Sequence, residues 1–123
     1  MRVFVYGSLR SGESNHAVME GATWVGPARS SPGFRLYSLM AYPAMVRDAA
    51  WAGAVVGELY DVPESMVERL DRFEGHPELY ERTLVQLSDG AQAWAYLMRP
   101  EQVLGRKPVP EGDWRAFRRA SSG

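Results

Sequence analysis

The chain has 123 residues, of which 46% are hydrophobic and 24% are charged, a balance typical of one folded domain with a modest core. Its 14 basic and 15 acidic residues leave a net charge of −1, which excludes a strong field for nucleic acid or an anionic membrane and favours a small-molecule partner. Because the chain lacks cysteine, a disulfide, a thiolate metal site and a cysteine nucleophile are all excluded.

The first element is a strand. Residues 2–6 are mostly β-branched or aromatic, and they predict a buried strand that ends at Gly7. This apolar stretch is too short for a secretory signal, and no apolar run of about 18 residues follows it. We therefore expect a cytoplasmic protein without a membrane span. One domain is expected over residues 1–123, with its core in about residues 1–100 and a C-terminal extension in residues 101–123.

A turn-forming segment follows the first strand. Residues 7–15 read G-S-L-R-S-G-E-S-N, a composition typical of tight turns. Ser14 or Asn15 is expected to cap a short helix that runs through Glu20 and is followed by Gly21. The turn segment is therefore expected to lie between a strand and a helix.

Two extended segments and one helix are predicted in the middle of the chain. Residues 34–40 and 53–62 predict strands, and Gly57 in the second indicates a bulge or a close backbone approach. Asp61 is expected to cap a helix that ends at Gly75. The apolar residues that recur along this helix at helical spacing are Met66, Val67, Leu70 and Phe73.

The last part of the chain predicts a β-hairpin and a polar extension. Residues 80–87 and 92–98 both alternate between apolar and polar side chains, and Asp89-Gly90 between them is a strong turn signal. Residues 113–119 then predict a short amphipathic helix within a polar, proline-containing segment.

Two motifs after the first strand have the spacing of known catalytic loops. Gly7 and Gly12 have the separation found in a phosphate-binding loop, but Glu13 occupies the position of its lysine and would repel a nucleotide. Ser8 lies in a sharp turn, as a hydrolase nucleophile would, yet the G-x-S-x-G pattern is absent and only His16 and His76 could serve as its base. A Ser8 hydrolase is kept as a minor alternative.

Other clusters of charged or metal-binding side chains are weaker candidates. His16 and His76 lie sixty residues apart without a carboxylate at ligand spacing, so no metal site is predicted. Arg115, Arg118 and Arg119 form a short basic run beside aromatic residues. In a neutral protein such a run is more often a solvated helix face than a nucleic-acid surface.

Glu74 is the candidate for acid/base chemistry. It lies between Phe73, which belongs to the apolar stripe, and Gly75, which ends the predicted helix. The negative end of a helix dipole and an apolar neighbourhood both raise the pKa of a carboxyl group toward the range that acid/base catalysis needs. Glutamates at helix ends more often point into solvent, so these effects alone leave a solvent-facing side chain as the commoner alternative.

Several short motifs together resemble a known family. They are Val5-Tyr6-Gly7-Ser8-Leu9 with Gly12 and Asn15-His16, then Tyr42-Pro43-Ala44, Gly57-Glu58-Leu59-Tyr60, and Leu70-Asp71-Arg72-Phe73-Glu74-Gly75 with Tyr80 and Arg82. Their order and spacing resemble the γ-glutamylcyclotransferase-like superfamily, in its short branch with γ-glutamylamine cyclotransferase, the butirosin-pathway deacylase and AIG2-like proteins. The resemblance covers residues 2 to about 98.

The resemblance implies a fold and a reaction. The implied fold is α+β, a small mixed and mainly antiparallel β-barrel-like sheet with a few short helices. The implied reaction releases 5-oxoproline and a free amine from a small γ-glutamyl substrate, without a cofactor or a metal. A relative that binds such a metabolite without turning it over is the main alternative.

The resemblance also implies which residues form the site. Glu74 matches the catalytic acid/base of the family, and Tyr80 matches a tyrosine that lines its cavity. The substrate-cradling loop of the family matches Tyr6, Gly7, Ser8 and Leu9. Successive backbone N–H groups in such a turn form a concave donor nest that suits a carboxylate or a developing oxyanion.

Overall fold

The computed structural model describes residues 1–122 and contains one curved sheet with two α-helices. The strands are β1 (Arg2–Val5), β2 (Thr23–Arg29), β3 (Phe34–Ser38), β4 (Pro43–Arg47), β5 (Val56–Asp61), β6 (Glu81–Gln86), β7 (Gln92–Met98) and β8 (Lys107–Pro108). The α-helices are α1 (Glu64–Glu74) and α2 (Trp114–Ser122), and two 3₁₀ turns cover His16–Met19 and Pro100–Val103.

The strand order places two different strands along one edge of β7. The order is β2-β5-β1-β7-β4-β3-β8, and β6 pairs with the other edge of β7. Both β1 and β4 run parallel to β7, with Val3 opposite Trp94 and Met45 opposite Leu97. The end of β1 therefore faces the beginning of β4 along the same edge, and the chain leaves the sheet at this junction.

The sheet curls until its far strands meet. An antiparallel bridge joins Ser30, just after β2, to Leu87, just after β6. The Ser88 amide donates to the Arg29 carbonyl at 2.9 Å, which adds a further hydrogen bond across the closure. The expected α+β fold with a mixed, mainly antiparallel and barrel-like sheet is confirmed. In the described residues no helix is both long and apolar enough to span a membrane.

The two faces of the sheet bury two separate apolar clusters. Alternation along β1 sends Val3 and Val5 to the cluster under α1, and Phe4 and Tyr6 to the cluster inside the barrel. Helix α1 contributes buried Met66 and Leu70 to the first cluster, as its apolar spacing predicts. The packing of α1 on the sheet brings its C-terminal end to the junction between β1 and β4.

Helix α1 ends where the sequence predicts, but its start differs from the prediction. Gly75 ends the helix with φ +67°, the left-handed conformation that glycine adopts without strain, as expected. The helix begins after Pro63, and no side chain caps it. Asp61, the predicted cap, instead ends β5 and forms an ion pair with Arg2 at 2.6 Å.

Other local predictions were wrong for identifiable reasons. The short helix after the first loop is a single 3₁₀ turn, His16–Met19, without a side-chain cap, and the side-chain nitrogen of Asn15 donates to the Ser8 hydroxyl. Strands β2 and β4 were not predicted, because Gly26 and Pro27 interrupt β2 and Pro43 opens β4. The register of β2 shifts at Gly26, where a bulge accommodates the irregular sequence.

Gly57 occupies the close backbone approach that its position in a strand indicates. A Cβ atom there would lie 2.3 Å from the Val5 carbonyl oxygen and 2.8 Å from the Phe4 ring. We expect Gly57→Ala to lower the free energy of unfolding by about 1 to 3 kcal/mol, because strand β1 must shift to accept the methyl group. Urea unfolding followed by circular dichroism measures this change, and an unchanged midpoint would contradict the assigned register of β1 and β5.

Candidate active site

A cavity of about 270 Å³ opens where β1 leaves the edge of β7 and β4 begins. Its wall comes from the loop after β1, the start of β4, the end of α1 and strand β7. The lining residues are Phe4, Val5, Tyr6, Gly7, Ser8, Leu9, Asn15, Tyr42, Pro43, Phe73, Glu74, Leu79, Tyr80 and Tyr96. All six residues predicted for the site, Glu74, Tyr6, Gly7, Ser8, Leu9 and Tyr80, therefore line one cavity.

The loop after β1 is a compact turn held by its own backbone. The Arg10 amide donates to the Gly7 carbonyl at 3.0 Å, and the Asn15 amide donates to the Ser8 carbonyl at 2.9 Å. A Cβ atom on Gly7 would lie 2.6 Å from Pro43 Cγ, so glycine is required by the close approach of β4. Strand β4 thus limits how the loop can lie.

The amide N–H groups of this loop have no protein acceptor. Within the described residues, the amides of Gly7, Ser8 and Leu9 donate no hydrogen bond to another group of the chain. Unpaired amides in a turn that lines a cavity are suited to an anion or to a developing oxyanion. The loop can therefore supply anion binding from its backbone alone.

Glu74 is the last residue of α1, and its side chain lies half-buried against the same cavity. Burial raises the pKa of Glu74 from its usual 4.5 to about 7. Burial is the one cause of this shift, and within the described residues the Glu74 carboxyl group has no hydrogen-bond partner. A carboxyl group in this state can accept and return a proton near neutral pH.

The hydroxyl groups of two cavity tyrosines form hydrogen bonds with backbone groups. The Tyr6 hydroxyl donates to the Tyr96 carbonyl at 2.6 Å and accepts from the Met45 amide at 3.2 Å. The Tyr80 hydroxyl donates to the Pro43 carbonyl at 2.8 Å. Burial raises the pKa of both tyrosines, and the nearby Glu74 carboxylate raises it further, so both phenols stay protonated. They brace the cavity wall.

Tyr96 and Asn15 also line the cavity, and neither was predicted to belong to the site. The Tyr96 hydroxyl donates to Asp71 Oδ1 at 2.7 Å, and Arg82 Nη1 binds Asp71 Oδ2 at 2.6 Å. Arg82 is therefore the ion-pair partner of Asp71. Because side chains alternate between the two faces of β7, the sequence could have predicted that Tyr96 lies on the face that packs against α1.

A buried ion network holds the far side of the loop. Glu58 on β5 is only 3% exposed. It accepts from the Ser11 amide at 2.8 Å, from the Tyr60 hydroxyl at 3.2 Å and from Arg10 Nε at 3.3 Å. Because a buried carboxylate needs several partners, this network fixes Arg10 and Ser11 relative to the sheet.

Helix α2 contributes to the same network through Arg115 and Arg118, while Arg118 and Arg119 are exposed, as the interpretation of a solvated helix face expects. Arg115 Nε pairs with Glu13 Oε2 at 3.2 Å, and its Nη2 donates to the Ser11 carbonyl. Arg118 also pairs with Glu13, and Asp113 just before α2 accepts from Arg10 Nη1 at 3.3 Å. Arg115 and Arg118 therefore bind the loop.

Neither histidine lies in a catalytic arrangement with Ser8. The His16 ring nitrogen Nδ1 lies 2.9 Å from the Leu9 carbonyl, and His76 Nδ1 accepts from the Arg82 amide at 2.9 Å. The Ser8 hydroxyl accepts from the Asn15 side-chain amide at 3.0 Å. In the described residues, no group of three or more His, Asp or Glu side chains has the geometry of a metal site.

Comparisons with known proteins place the chain in a family. The family model described as "Gamma-glutamyl cyclotransferase, AIG2-like" matches residues 3–116. The chain therefore belongs to this family, as its motifs indicate.

Individual relatives agree with this assignment in sequence and structure. The gamma-glutamylcyclotransferase family protein YtfP of Escherichia coli (strain K12) is 38% identical over 115 residues, which cover 93% of this chain and 96% of YtfP. The crystal structure of an AIG2-like protein from Mus musculus has a TM-score of 0.76 at 30% identity, covering 91% of this chain and 87% of the mouse chain. A Pyrococcus horikoshii protein has a TM-score of 0.78 at 26% identity, covering 99% and 96% of the two chains.

The raised pKa of Glu74 has a consequence for stability. The native state keeps a proton on Glu74 up to about pH 7, whereas an unfolded chain releases it near pH 4.5. The free energy of unfolding therefore falls as the pH rises between these values and stays lower above them. We expect Glu74→Gln to raise the free energy of unfolding by about 2 to 3 kcal/mol at pH 8 and by much less at pH 5.

Thermal or urea unfolding of both proteins at pH 5 and pH 8 measures this difference. The exposed neighbour Glu78 provides the matched control, and Glu78→Gln is expected to change stability little at either pH. An equal effect of Glu74→Gln at the two pH values would show that the carboxyl group is not buried in the native state.

Proposed function

We propose that this protein is an enzyme that releases 5-oxoproline and a free amine from a small γ-glutamyl amine or peptide, with Glu74 as its acid/base. One observation carries this proposal: the half-buried Glu74 carboxyl group and the unpaired loop amides of Gly7, Ser8 and Leu9 line one cavity. A γ-glutamyl group presents one anionic carboxylate and one proton that must move, which these two features match. A cytoplasmic location remains a prediction.

In the proposed reaction the substrate attacks its own amide. Glu74 takes a proton from the α-ammonium group, and the freed amine attacks the γ-carbonyl carbon to form a five-membered ring. Glu74 then gives the proton to the leaving nitrogen as the carbon–nitrogen bond of the amide breaks. The ring nitrogen releases a second proton, and the departing amine takes one up as it becomes an ammonium ion.

This chemistry makes modest demands on the protein. Ring closure within one molecule provides effective molarities of about 10⁵ M or more when the groups are well oriented. The amide breaks without water, so the reaction is an acyl transfer or elimination that needs no cofactor. The loop amides would hold the α-carboxylate or the developing oxyanion, and Tyr6 and Tyr80 would shape the wall.

The two alternatives from the sequence differ in what they require. A hydrolase needs a base that contacts the Ser8 hydroxyl, and that hydroxyl accepts from Asn15 instead. A relative that only binds a metabolite would share the cavity and the loop, but it would not need Glu74 to titrate near neutral pH. Turnover measurements on variants separate all three.

We expect Glu74→Gln to reduce kcat for 5-oxoproline release by about 10²-fold to 10⁴-fold, because an amide cannot carry the proton. Mass spectrometry of 5-oxoproline from a γ-glutamyl amine measures the rate. The side chains have nearly equal size, so the variant should stay folded, and circular dichroism checks this. Unchanged product release would remove Glu74 from the mechanism.

Ser8→Ala is the companion variant. The proposed reaction uses backbone groups of the loop, so loss of the Ser8 hydroxyl should reduce kcat/KM by less than about 10-fold, through the lost contact with Asn15. Complete loss of activity in this variant, with the fold intact, would instead favour a Ser8 nucleophile.

The pH dependence of kcat/KM follows from the pKa of Glu74. The carboxylate must be ionised in the free enzyme to accept a proton, and burial raises its pKa to about 7. We therefore expect kcat/KM to fall about tenfold per pH unit below that value and to level off above it, until another group titrates. Rates from pH 4 to pH 8 test this, and an acid limb near pH 4.5 would contradict the assignment.

A further inference from the structure

Hydrogen bonds close the loop after β1 into a compact ring. The Asn15 amide donates to the Ser8 carbonyl at 2.9 Å, and between these residues the Glu13 amide donates to the Arg10 carbonyl at 3.0 Å. The Asn15 side-chain nitrogen also donates to the Ser8 hydroxyl at 3.0 Å. Because these bonds join the ends and the middle of the ring, residues 8–15 are expected to move as one cooperative unit.

The ring sets the direction of two of the unpaired loop amides. A trans peptide unit is planar, so its C=O and N–H groups point to opposite sides. The Gly7 carbonyl accepts from the Arg10 amide, which turns the Ser8 N–H to the opposite side. The Ser8 carbonyl accepts from the Asn15 amide, which turns the Leu9 N–H in the same manner. A displaced ring would therefore turn these amides away from their present direction.

Arg115 of helix α2 binds the part of the ring that is farthest from these amides in the chain. Its Nη2 donates to the Ser11 carbonyl, and its Nε pairs with Glu13 Oε2 at 3.2 Å. The same Nη2 lies 3.7 Å from Glu58 Oε2. The Glu13 and Glu58 side chains are only 8% and 5% exposed, so water screens these charged contacts little. Arg115 itself is not one of the residues that line the cavity.

Asp113 provides a second link between the ring and the start of α2. Its Oδ1 accepts from the amides of Arg115 and Ala116 at 3.1 Å and 3.2 Å, as the side chain of a helix cap does. The same oxygen accepts from Arg10 Nη1 at 3.3 Å. The first turn of α2 is therefore fixed against the ring, and Arg115 lies in that turn.

We propose that Arg115 is a positioning residue for substrate binding: by holding the Ser11 carbonyl and Glu13, it keeps the amides of residues 7–9 directed at the substrate carboxylate. This inference rests on the proposed function and takes the loop amides as the site of the α-carboxylate. It adds that substrate affinity depends on a side chain of the C-terminal helix, outside the cavity. Glu74 belongs to α1, and burial alone raises its pKa, so its proton transfer is independent of Arg115.

Arg115→Met removes the cation and keeps an unbranched side chain. We expect KM for γ-glutamyl methylamide to rise about 10-fold, because a loop that is no longer held in place must be ordered on binding. The value of kcat should stay within about twofold, and the pH at which kcat/KM falls by half should not move, since Glu74 is undisturbed. A merely structural role would lower the amount of folded enzyme and the apparent kcat, with KM unchanged. Exposed Arg106 provides the matched control, and Arg106→Met should change neither constant.

Calorimetric titration tests the link to the carboxylate directly. 5-Oxoproline carries the carboxylate, and 5-oxoprolinamide carries a neutral amide in its place. Arg115→Met should weaken the binding of 5-oxoproline about 10-fold and that of 5-oxoprolinamide by less than about twofold. Equal weakening of both compounds, or unchanged binding of 5-oxoproline, would overturn the inference.

The outcomes separate this inference from the proposed function. If the unmodified protein releases no 5-oxoproline from γ-glutamyl amines or peptides, the proposed function fails, and the titrations alone decide the inference. It then stands only if the unmodified protein binds 5-oxoproline and Arg115→Met weakens that binding selectively. Should circular dichroism show that Arg115→Met does not fold, Arg115→Lys takes its place, because an ammonium group keeps the charge but cannot make both contacts of the planar guanidinium. The same selective loss, by at least about 3-fold, is expected, and its absence would overturn the inference.

Discussion

The candidate site depends on the hydrogen bonds of the Tyr6 hydroxyl group. At the point where β1 leaves the edge of β7 and β4 takes its place, this hydroxyl donates to the Tyr96 carbonyl and accepts from the Met45 amide. It therefore joins β7 to β4 across the gap that β1 leaves open. Each such buried bond contributes about 1 kcal/mol, and an unsatisfied group in its place would cost more. The loop with the free amides begins at the next residue.

The other side of that loop is held by ion pairs rather than by hydrogen bonds between strands. Glu58 is buried, and removing one partner of a buried ion pair costs about 3 to 5 kcal/mol, so the network around it is strongly constrained. Arg115 brings the last helix into this network through Glu13 and Ser11. The C-terminal helix thus helps to position a loop that lies more than a hundred residues earlier, which agrees with the family match through residue 116.

The regular elements could be predicted from the sequence because each carries a local signal. Helix α1 has an apolar stripe and a terminal Gly75, and the hairpin of β6 and β7 has its Asp89-Gly90 turn. Strands β2 and β4 could not be predicted, because their glycine and proline residues conflict with a local strand preference and only pairing with β5 and β3 overrides it.

The site was only partly predictable. Nothing local determines whether a glutamate at a helix end faces solvent or a cavity, so the placement of Glu74 came from the family resemblance. The Glu58 network had no sequence signal either. Arg10 and Glu13 belong to the loop after β1, whereas Glu58 and Arg115 lie far along the chain, and only the folded sheet and α2 bring them together.

The segment from Phe73 to Tyr80 combines the Glu74 carboxyl group with side chains that surround it. Gly75 reverses the chain in the left-handed conformation, and the Tyr80 amide donates a hydrogen bond to the Glu74 carbonyl at 3.3 Å. Phe73 and Leu79 therefore flank the carboxyl group at the mouth, while Tyr80 closes the wall behind it. Phe73 and Leu79 are both more than 40% exposed, so the cavity opens beside the end of α1 that carries Glu74.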